Sequence, residues 1–240
     1  MRSDNDKAQI FGGTLGPPGA FLGKLFDAGS GQYFSLVSRD RAIASLHAQG
    51  LTGKGVTAAI VDTGLWSEHP EIRRATIERT DVIGEGLDDL NGHGTEVALI
   101  LLAVAPAATL YSAKALDRNG EGNRDTLIAG LRWSFGTGAK MINLSAGVYD
   151  EECAGDCPLC TMAAEAKERK IPLLAAAGNR RGVTACPAKY AVTHLGEGLA
   201  VGAFDVERGV RAANSGIATL LGDVGPYDLK PVENSEPQGG

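Results

Sequence analysis

Long apolar runs and clusters of positive charge are scarce in this chain of 240 residues. The longest apolar stretch, residues 97–106, is too short to cross a bilayer. Residues 1–13 lack the basic start and apolar middle of a signal peptide. A formal net charge of -6, with no Lys/Arg stripe interleaved with aromatic residues, argues against nucleic acid as a partner. We therefore expect no membrane or nucleic-acid partner, and a cytoplasmic location unless an upstream leader has been removed.

Hydrophobic residues make up 43% of the chain, enough to bury the core of one compact domain. Five apolar runs have the length and continuity of strands that are covered on both faces. They are residues 56–62, 109–116, 140–146, 171–177 and 199–205, and helical patterns lie between them. This alternation predicts an α/β fold with three layers, in which helices cover both faces of a mostly parallel sheet.

The periodic pattern covers residues 36–227, which we take as the folded domain. Residues 1–35 are rich in glycine and show little periodicity, so we expect an N-terminal extension that is partly extended or disordered. Residues 228–240 are polar and contain prolines and glycines, which predicts a C-terminal tail.

Three polar side chains of catalytic type are predicted at one edge of this sheet. Asp62 ends the first apolar run in IVDTG, His93 opens a helix in NGHGTEVA, and Asn179 follows a later run in LLAAAGN. Because functional groups in such sheets collect beyond the carboxyl ends of the strands, we expect these three to converge. A neutral imidazole held by a carboxylate can act as a general base, and a side-chain amide can donate a hydrogen bond to an oxyanion.

Each of these motifs alone has other interpretations. Asp-Thr-Gly also occurs in aspartic proteases and in the phosphate loops of sugar kinases, but the first class needs an all-β chain and the second more glycines or a lysine. A lone glycine-flanked histidine is more often a capping or structural residue than a catalytic one. A general nucleotide-binding α/β protein needs a glycine-rich fingerprint between a strand and a helix, which this sequence lacks.

Four segments together resemble a known family. VDTGLWSEHPEI, NGHGTEVA, INLSAG and AAAGN are similar to the Asp, His, substrate-strand and oxyanion-hole motifs of the subtilisin-like serine proteases, in that family's order. The resemblance covers about residues 39–226. It implies a subtilisin-like fold and peptide-bond hydrolysis, in which Asp62 orients His93, His93 is the base and Asn179 is the oxyanion donor.

The resemblance also implies how an extended polypeptide substrate is bound. Six residues form the two edges of the implied cleft, Gly120, Glu121 and Gly122 on one side and Ser145, Ala146 and Gly147 on the other. A substrate is expected to lie between them by strand addition, in which backbone hydrogen bonds give affinity and side-chain pockets give specificity.

The expected nucleophile is missing from this sequence. The family's serine lies in a Gly-Thr-Ser-Met-Ala type motif that opens a helix, and the 240 residues contain no such motif. Ser215 matches a non-catalytic stretch of the family, and no helical pattern follows Ser235. We therefore expect a C-terminally incomplete fold, with the serine supplied by a second chain or a missing C-terminal segment. The alternative is a catalytically inactive pseudoprotease that binds extended peptides.

Glu96 is a smaller departure from the family's pattern, because the family usually has a second histidine at this position.

The cysteines of the chain are a second candidate site: Cys153, Cys157, Cys160 and Cys186. The resemblance places them on two segments that flank the family's primary specificity pocket, so we expect contact among them. Two disulfides in an oxidising compartment, or a four-thiolate site for zinc or an iron–sulfur centre in a reducing one, are both open. The spacing is looser than in a paired CxxC zinc ribbon, so we favour disulfides or a mix of free and paired thiols over a metal site, and no cofactor is expected.

Overall fold

The computed structural model describes residues 6–11, 41–194, 199–205, 210–211 and 215–219. Among these residues the strands are β1 (Lys7–Ile10), β2 (Thr57–Asp62), β3 (Thr76–Asp81), β4 (Thr109–Lys114), β5 (Glu121–Asn123), β6 (Met141–Leu144), β7 (Ala146–Val148), β8 (Leu173–Ala176), β9 (Leu199–Val201), β10 (Phe204–Asp205) and β11 (Val210–Arg211). The helices are α1 (Arg41–Ala48), α2 (Pro70–Ala75), α3 (His93–Val104), α4 (Arg124–Gly136), α5 (Pro158–Glu168) and α6 (Ala188–Thr193). The apolar runs that predict strands coincide with β2, β4, β6, β8 and β9.

A six-stranded sheet forms the centre of the described structure, in the order β3, β4, β2, β6, β8, β9, and all its neighbouring strands are parallel. Side chains of the interior strand β2 alternate between the two faces of the sheet. Ala58 and Ile60 pack in one cluster with residues of α2 and α3. Ala59 and Val61 pack in a second cluster with residues of α4 and α5. The predicted three-layer α/β fold is therefore confirmed.

The carboxyl ends of these parallel strands meet at one edge of the sheet. Asp62 is the last residue of β2 and lies beside Lys114, the last residue of β4. His93 is the first residue of α3, and Asn179 follows closely after the end of β8. The topology thus positions the three residues that are predicted to be catalytic at the same edge of the sheet.

Helix α3 anchors His93 to the core. The buried side chains Ala98, Leu99 and Leu102 pack in the cluster that contains Ile60 of β2. The first turn of the helix is therefore fixed relative to the end of that strand. None of the helices in the described part of the chain has the length and apolar character needed to cross a membrane.

Some elements are not predicted by the sequence. Among the described residues, strand β3 is an edge strand that pairs with β4 alone, and its side chains are partly or fully exposed, so it lacks the apolar run that marks an interior strand. Helices α2 and α6 have six residues each, too few for a helical period to be read. Within the expected N-terminal extension, Lys7–Ile10 form strand β1 outside the central sheet. The expected C-terminal tail, residues 228–240, lies outside the described residues.

Candidate active site

Asp62 and His93 form a buried, hydrogen-bonded pair at the carboxyl edge of the sheet. The Nδ1 atom of His93 lies 2.8 Å from Oδ1 of Asp62, and the side chains are 3% and 1% exposed. The same oxygen accepts a hydrogen bond from the backbone N–H of Thr63. The second oxygen, Oδ2, is buried and has no hydrogen-bond partner among the described residues. The imidazole is therefore the main group that balances the charge of Asp62, and the carboxylate holds the ring in one orientation.

The carboxylate also makes His93 more basic. Burial by itself lowers the pKa of His93, but the charge of Asp62 and the hydrogen bond to it outweigh burial and raise the pKa to about 9. The carbonyl oxygen of Phe11, 3.4 Å from Nε2, acts in the same direction. The protonated ring of His93 thus has a partner for each of its N–H groups, Asp62 at Nδ1 and Phe11 at Nε2. Glu96, in the first turn of α3, has a raised pKa because it is partly buried and lies near Asp62.

Asp89 fixes the turn that leads into His93. Its carboxylate is 1% exposed and lies at the centre of a hydrogen-bond network. It accepts hydrogen bonds from the backbone N–H groups of Asn91, Gly92 and Thr95 and from the hydroxyls of Thr63 and Thr95. One buried carboxylate therefore joins the end of β2 to the start of α3 and sets the direction from which His93 enters the site.

The two glycines that flank His93 have different roles. Gly92, which precedes α3, has a φ of 102°, in the left-handed region that side chains with a Cβ rarely adopt. Gly94 allows two backbone segments to approach closely, because a Cβ there would lie 2.3 Å from the carbonyl oxygen of Gly64 and 3.2 Å from Cβ of Asp62. The first glycine permits the turn, and the second brings the helix against the strand that carries Asp62.

Asn179 lies on an exposed loop whose N–H groups are bound by one hydroxyl group. The hydroxyl oxygen of Tyr149 accepts hydrogen bonds from the backbone N–H groups of Asn179, at 2.5 Å, and Arg180, at 2.9 Å. The guanidinium of Arg180 lies over the Tyr149 ring, 4.2 Å from its centre. The side-chain amide of Asn179 is exposed and makes no hydrogen bond to the described residues. It is therefore free to donate to a group that enters the site.

Strand β1 lies between the two edges that the sequence predicts to bind substrate. It pairs antiparallel with β5 on one side and with β7 on the other. The register pairs Ala8 with Gly122 and Val148, Gln9 with Glu121 and Gly147, and Ile10 with Ala146. The carbonyl oxygens of Gly120 and Ser145 accept hydrogen bonds from the N–H groups of Ile10 and Phe11. All six predicted edge residues thus contact one extended segment, and that segment belongs to the N-terminal part of the same chain.

Phe11 ends this segment beside Asp62 and His93. Its carbonyl oxygen faces Nε2 of His93, and its N–H donates to the carbonyl of Ser145 at 2.8 Å. Its ring is 7% exposed and packs edge-on against Tyr149, with the ring centres 5.4 Å apart. The other apolar residues around the ring are Ala176, Val183 and Ala185. This group of side chains, which we call the Phe11 pocket, accepts a large aromatic residue.

Neither serine considered in the sequence analysis is positioned as a nucleophile in the described structure. Ser215 is fully buried, and its hydroxyl donates to the carbonyl of Gly216 and accepts from the N–H of Ala203, both at 3.0 Å. Ser235 lies outside the described residues. The group that faces Nε2 of His93 is the carbonyl of Phe11.

The four cysteines converge as expected, but they are free thiols. Their Sγ atoms all lie within 4.8 Å of one another. Hydrogen bonds with the thiols of Cys160 and Cys186 lower the pKa of Cys157, and the hydrogen bond with Cys157 raises the pKa of Cys160. Neither two disulfides nor a mix of free and paired thiols describes this arrangement, because the backbone brings the sulfur atoms to a common centre rather than into bonded pairs.

Comparison with known proteins places this chain in one family. The model of the subtilase family matches residues 53–226. The chain belongs to the subtilase family. It is similar to the thermostable alkaline protease of Halalkalibacterium halodurans, with 36% identity over 180 residues, and to subtilisin Savinase of Lederbergia lenta, with 36% identity over 183 residues. Subtilisin NAT of Bacillus subtilis subsp. natto is 33% identical over 197 residues.

The matches cover most of this chain but less of the relatives. They span 70%, 70% and 76% of the chain, and 46%, 62% and 49% of the three relatives in the same order. The chain thus covers less than two thirds of the length of each of these subtilases. The matched residues form a domain of the subtilase family.

Three residues of the site are absent from the sequence-based expectations: Phe11, Asp89 and Tyr149. Asp89 shortly precedes an Asn-Gly pair, and an acidic side chain before such a turn is a local signal for a hydrogen-bonded loop. The stretch KAQIF before Gly-Gly has the composition of a short strand, but it is too short to stand out. Tyr149 gives no local signal, because the N–H groups that it binds lie about 30 residues along the chain.

Proposed function

We propose that this subtilase chain provides the base, its orienting acid and the oxyanion donor of a serine endopeptidase. A second polypeptide or a further C-terminal segment supplies the serine. The observation that carries the proposal is the geometry of His93, whose Nδ1 is bound to Asp62 while Nε2 faces the carbonyl of a residue in the cleft. In its neutral form, an imidazole in that position can take a proton from a hydroxyl that attacks the same carbonyl.

The substrate in this proposal takes the place of Lys7–Phe11 between β5 and β7. His93 accepts the proton of the serine as its oxygen attacks the peptide carbonyl, while Asp62 stabilises the imidazolium that forms. The amide of Asn179 and a backbone N–H hold the tetrahedral oxyanion. His93 then protonates the leaving amine, and water repeats the cycle on the acyl-enzyme. The exposed position of the Asn179 side chain supports this role.

The Phe11 pocket supports a preference for peptides with a large uncharged side chain next to the cleaved bond. The ring of Phe11 is packed against Tyr149, Ala185 and Val183, none of which carries a charge. A Cβ at Gly147 would lie 2.9 Å from that ring, so the glycine leaves room for it. Burying an unpaired charge in such a pocket is unfavourable, and acidic or basic residues are expected to bind poorly there.

Labelling with a fluorophosphonate probe, followed by intact mass, tests the enzymatic proposal. The chain is labelled alone and after mixing with lysate of its source, in the wild type and in Phe11→Glu, which drives β1 out of the apolar pocket. Gln9→Glu is the matched control, because Gln9 is exposed on the same strand. We expect label on a co-purifying partner or a longer native form that carries the serine, and none after His93→Ala.

A pseudoprotease that binds peptides is the second candidate function. The observation that favours it is β1 itself, because an extended segment occupies both edges and the pocket without needing a nucleophile. The test is binding of a fluorescent peptide with the sequence of residues 6–13 to the Phe11→Glu variant. Peptide binding without probe labelling in any form of the protein supports the pseudoprotease and contradicts the endopeptidase. Labelling of this chain alone contradicts both proposals, since it requires a nucleophile among its own serines.

A further inference from the structure

We propose that Cys153, Cys157, Cys160 and Cys186 bind one Zn²⁺ ion in a structural site that braces the wall of the Phe11 pocket. The Sγ atoms of these residues all lie within 4.8 Å of one another, and those of Cys153 and Cys160 are 3.8 Å apart. Zinc binds thiolate at about 2.3 Å in tetrahedral geometry, which places the sulfur atoms roughly 3.8 Å from one another. The pair formed by Cys153 and Cys160 already has this spacing, and the other sulfur-to-sulfur distances exceed it by at most about 1 Å, close enough for all four to bind a single ion after a small adjustment.

The alternatives explain this arrangement less well. Two disulfides join sulfur atoms in pairs and give no reason for all four to share one centre. An iron–sulfur cluster holds several irons and inorganic sulfides between its cysteine ligands, so it needs a wider cage than a single ion. Among divalent metals, a site of four soft thiolates in tetrahedral geometry favours zinc.

The local backbone is suited to thiolate ligands. Cys157 is the residue before helix α5, Pro158 is at the start of that helix, and Cys160 lies in its first turn. The free N–H groups and the dipole at the start of a helix stabilise negative charge there. The N–H of Gly155 donates to Sγ of Cys153 at 3.2 Å. Binding would displace the thiol protons to solvent.

The fourth ligand connects this centre to the cleft. The backbone of Cys186 exchanges two hydrogen bonds with Val148 of β7, at 3.0 and 2.8 Å. Its carbonyl oxygen lies against Gly147, where a Cβ would approach it to 2.6 Å. Ala185, the preceding residue, lines the Phe11 pocket. An ion bound to Cys186 and to the start of α5 would therefore tie the β7 edge and the pocket wall to the helical layer.

Metal content is the first test, and it does not depend on the proposed enzymatic function. The full-length wild-type protein, purified without chelator, is analysed by elemental mass spectrometry and native intact mass. We expect about one zinc per chain and a loss of zinc in Cys157→Ser. Thr161→Ala is the matched control, because Thr161 is exposed in the same helical turn and its hydroxyl donates to Pro158 rather than to a sulfur atom. The control should keep its zinc.

A second measurement keeps the proposal testable if the cysteine variant fails to fold. Cobalt replaces zinc in the wild-type protein, and tetrahedral thiolate ligation should give strong sulfur-to-cobalt charge-transfer absorption. Hydrogen exchange at the Val148 and Cys186 amides should become faster when the metal is removed. The proposal is overturned if the folded wild-type protein is metal-free and all four thiols can be alkylated. It is also overturned if the intact mass is lower by the hydrogens that two disulfides remove, or if the bound metal is iron.

Discussion

His93 and Asn179 lie at the same edge of the sheet, but they are held in different ways. His93 is buried, and five hydrogen bonds to the carboxylate of Asp89 fix the turn before it. Asn179 is exposed, and its own N–H is bound by the hydroxyl of Tyr149, while backbone hydrogen bonds hold the residues on either side of it. The predicted base is thus positioned by the folding of the core, whereas the predicted oxyanion donor depends in part on a side chain that also lines the Phe11 pocket. The side chain that fills the Phe11 pocket can therefore influence Asn179 more directly than His93.

Gly94→Ala is expected to have the largest effect on the His93 side of the comparison. A methyl group at Gly94 would lie 2.3 Å from the backbone carbonyl of Gly64, which cannot move without shifting the strand end that carries Asp62. We expect a loss of about 4 kcal/mol in the free energy of unfolding, measured in urea, or failure to fold. Gly136→Ala, at an exposed helix end with nothing within 4 Å, should be close to neutral. Equal stability of the two variants would contradict the close packing at Gly94.

Asp89→Ala is expected to have the next largest effect. The substitution leaves several buried N–H groups of the turn without an acceptor, so we expect a loss of about 3 kcal/mol in stability and movement of the His93 ring. Asp88→Ala is the control, because that side chain is 54% exposed and bonds to Arg79 and Ser67 at the surface. Urea unfolding and the NMR signals of the imidazole report both effects. An unchanged imidazole environment in Asp89→Ala would show that the turn is fixed by other contacts.

Stability should also fall with rising pH through the titration of His93. Its pKa is raised to about 9 in the folded protein, and a histidine in an unfolded chain titrates near pH 6.5. The folded state therefore binds the proton more tightly, and the stabilisation is complete below about pH 6.5 and lost as the pH rises through about 9. The effect is at most about 3 kcal/mol. Unfolding free energies from pH 6 to 9.5 should fall more steeply in the wild type than in His93→Gln, and parallel curves would rule out the raised pKa.

Tyr149→Phe should have the smallest effect on stability and the most local one. It keeps the ring contact with Phe11 but removes the acceptor for two backbone N–H groups, which predicts a loss of about 1–2 kcal/mol. Hydrogen exchange should become faster at Asn179 and Arg180, with the His93 pKa unchanged. Tyr111→Phe is the control, since its ring packs on Trp133 and its hydroxyl has no hydrogen bond within the described residues. A shifted His93 pKa in Tyr149→Phe would contradict the inference that His93 and Asn179 are held independently of each other.

The sequence predicts the parts of the site that depend on local patterns and on parallel topology. Asp62 and His93 could be placed together because each lies at the end of a clear apolar element, and the carboxyl ends of parallel strands meet at one edge. The position of β1 could not be predicted, because four residues carry little pattern and both partner strands lie more than a hundred residues away. The cysteines show an intermediate case. Their convergence follows from topology, but the distances among four sulfur atoms depend on how a helix start and a distant loop pack.

Because β1 pairs with both edges of the cleft, any separate molecule that binds there must displace this segment of the same chain. A segment tethered in the same chain competes at an effective concentration on the order of millimolar. A free peptide with the same intrinsic affinity would therefore need a similar concentration to fill half of the clefts. Peptides present at lower concentration gain access only if they bind much more tightly than Lys7–Phe11, or if a second contact elsewhere on the surface adds to their affinity. The tether thus sets a threshold of affinity and concentration that any ligand of this cleft must exceed.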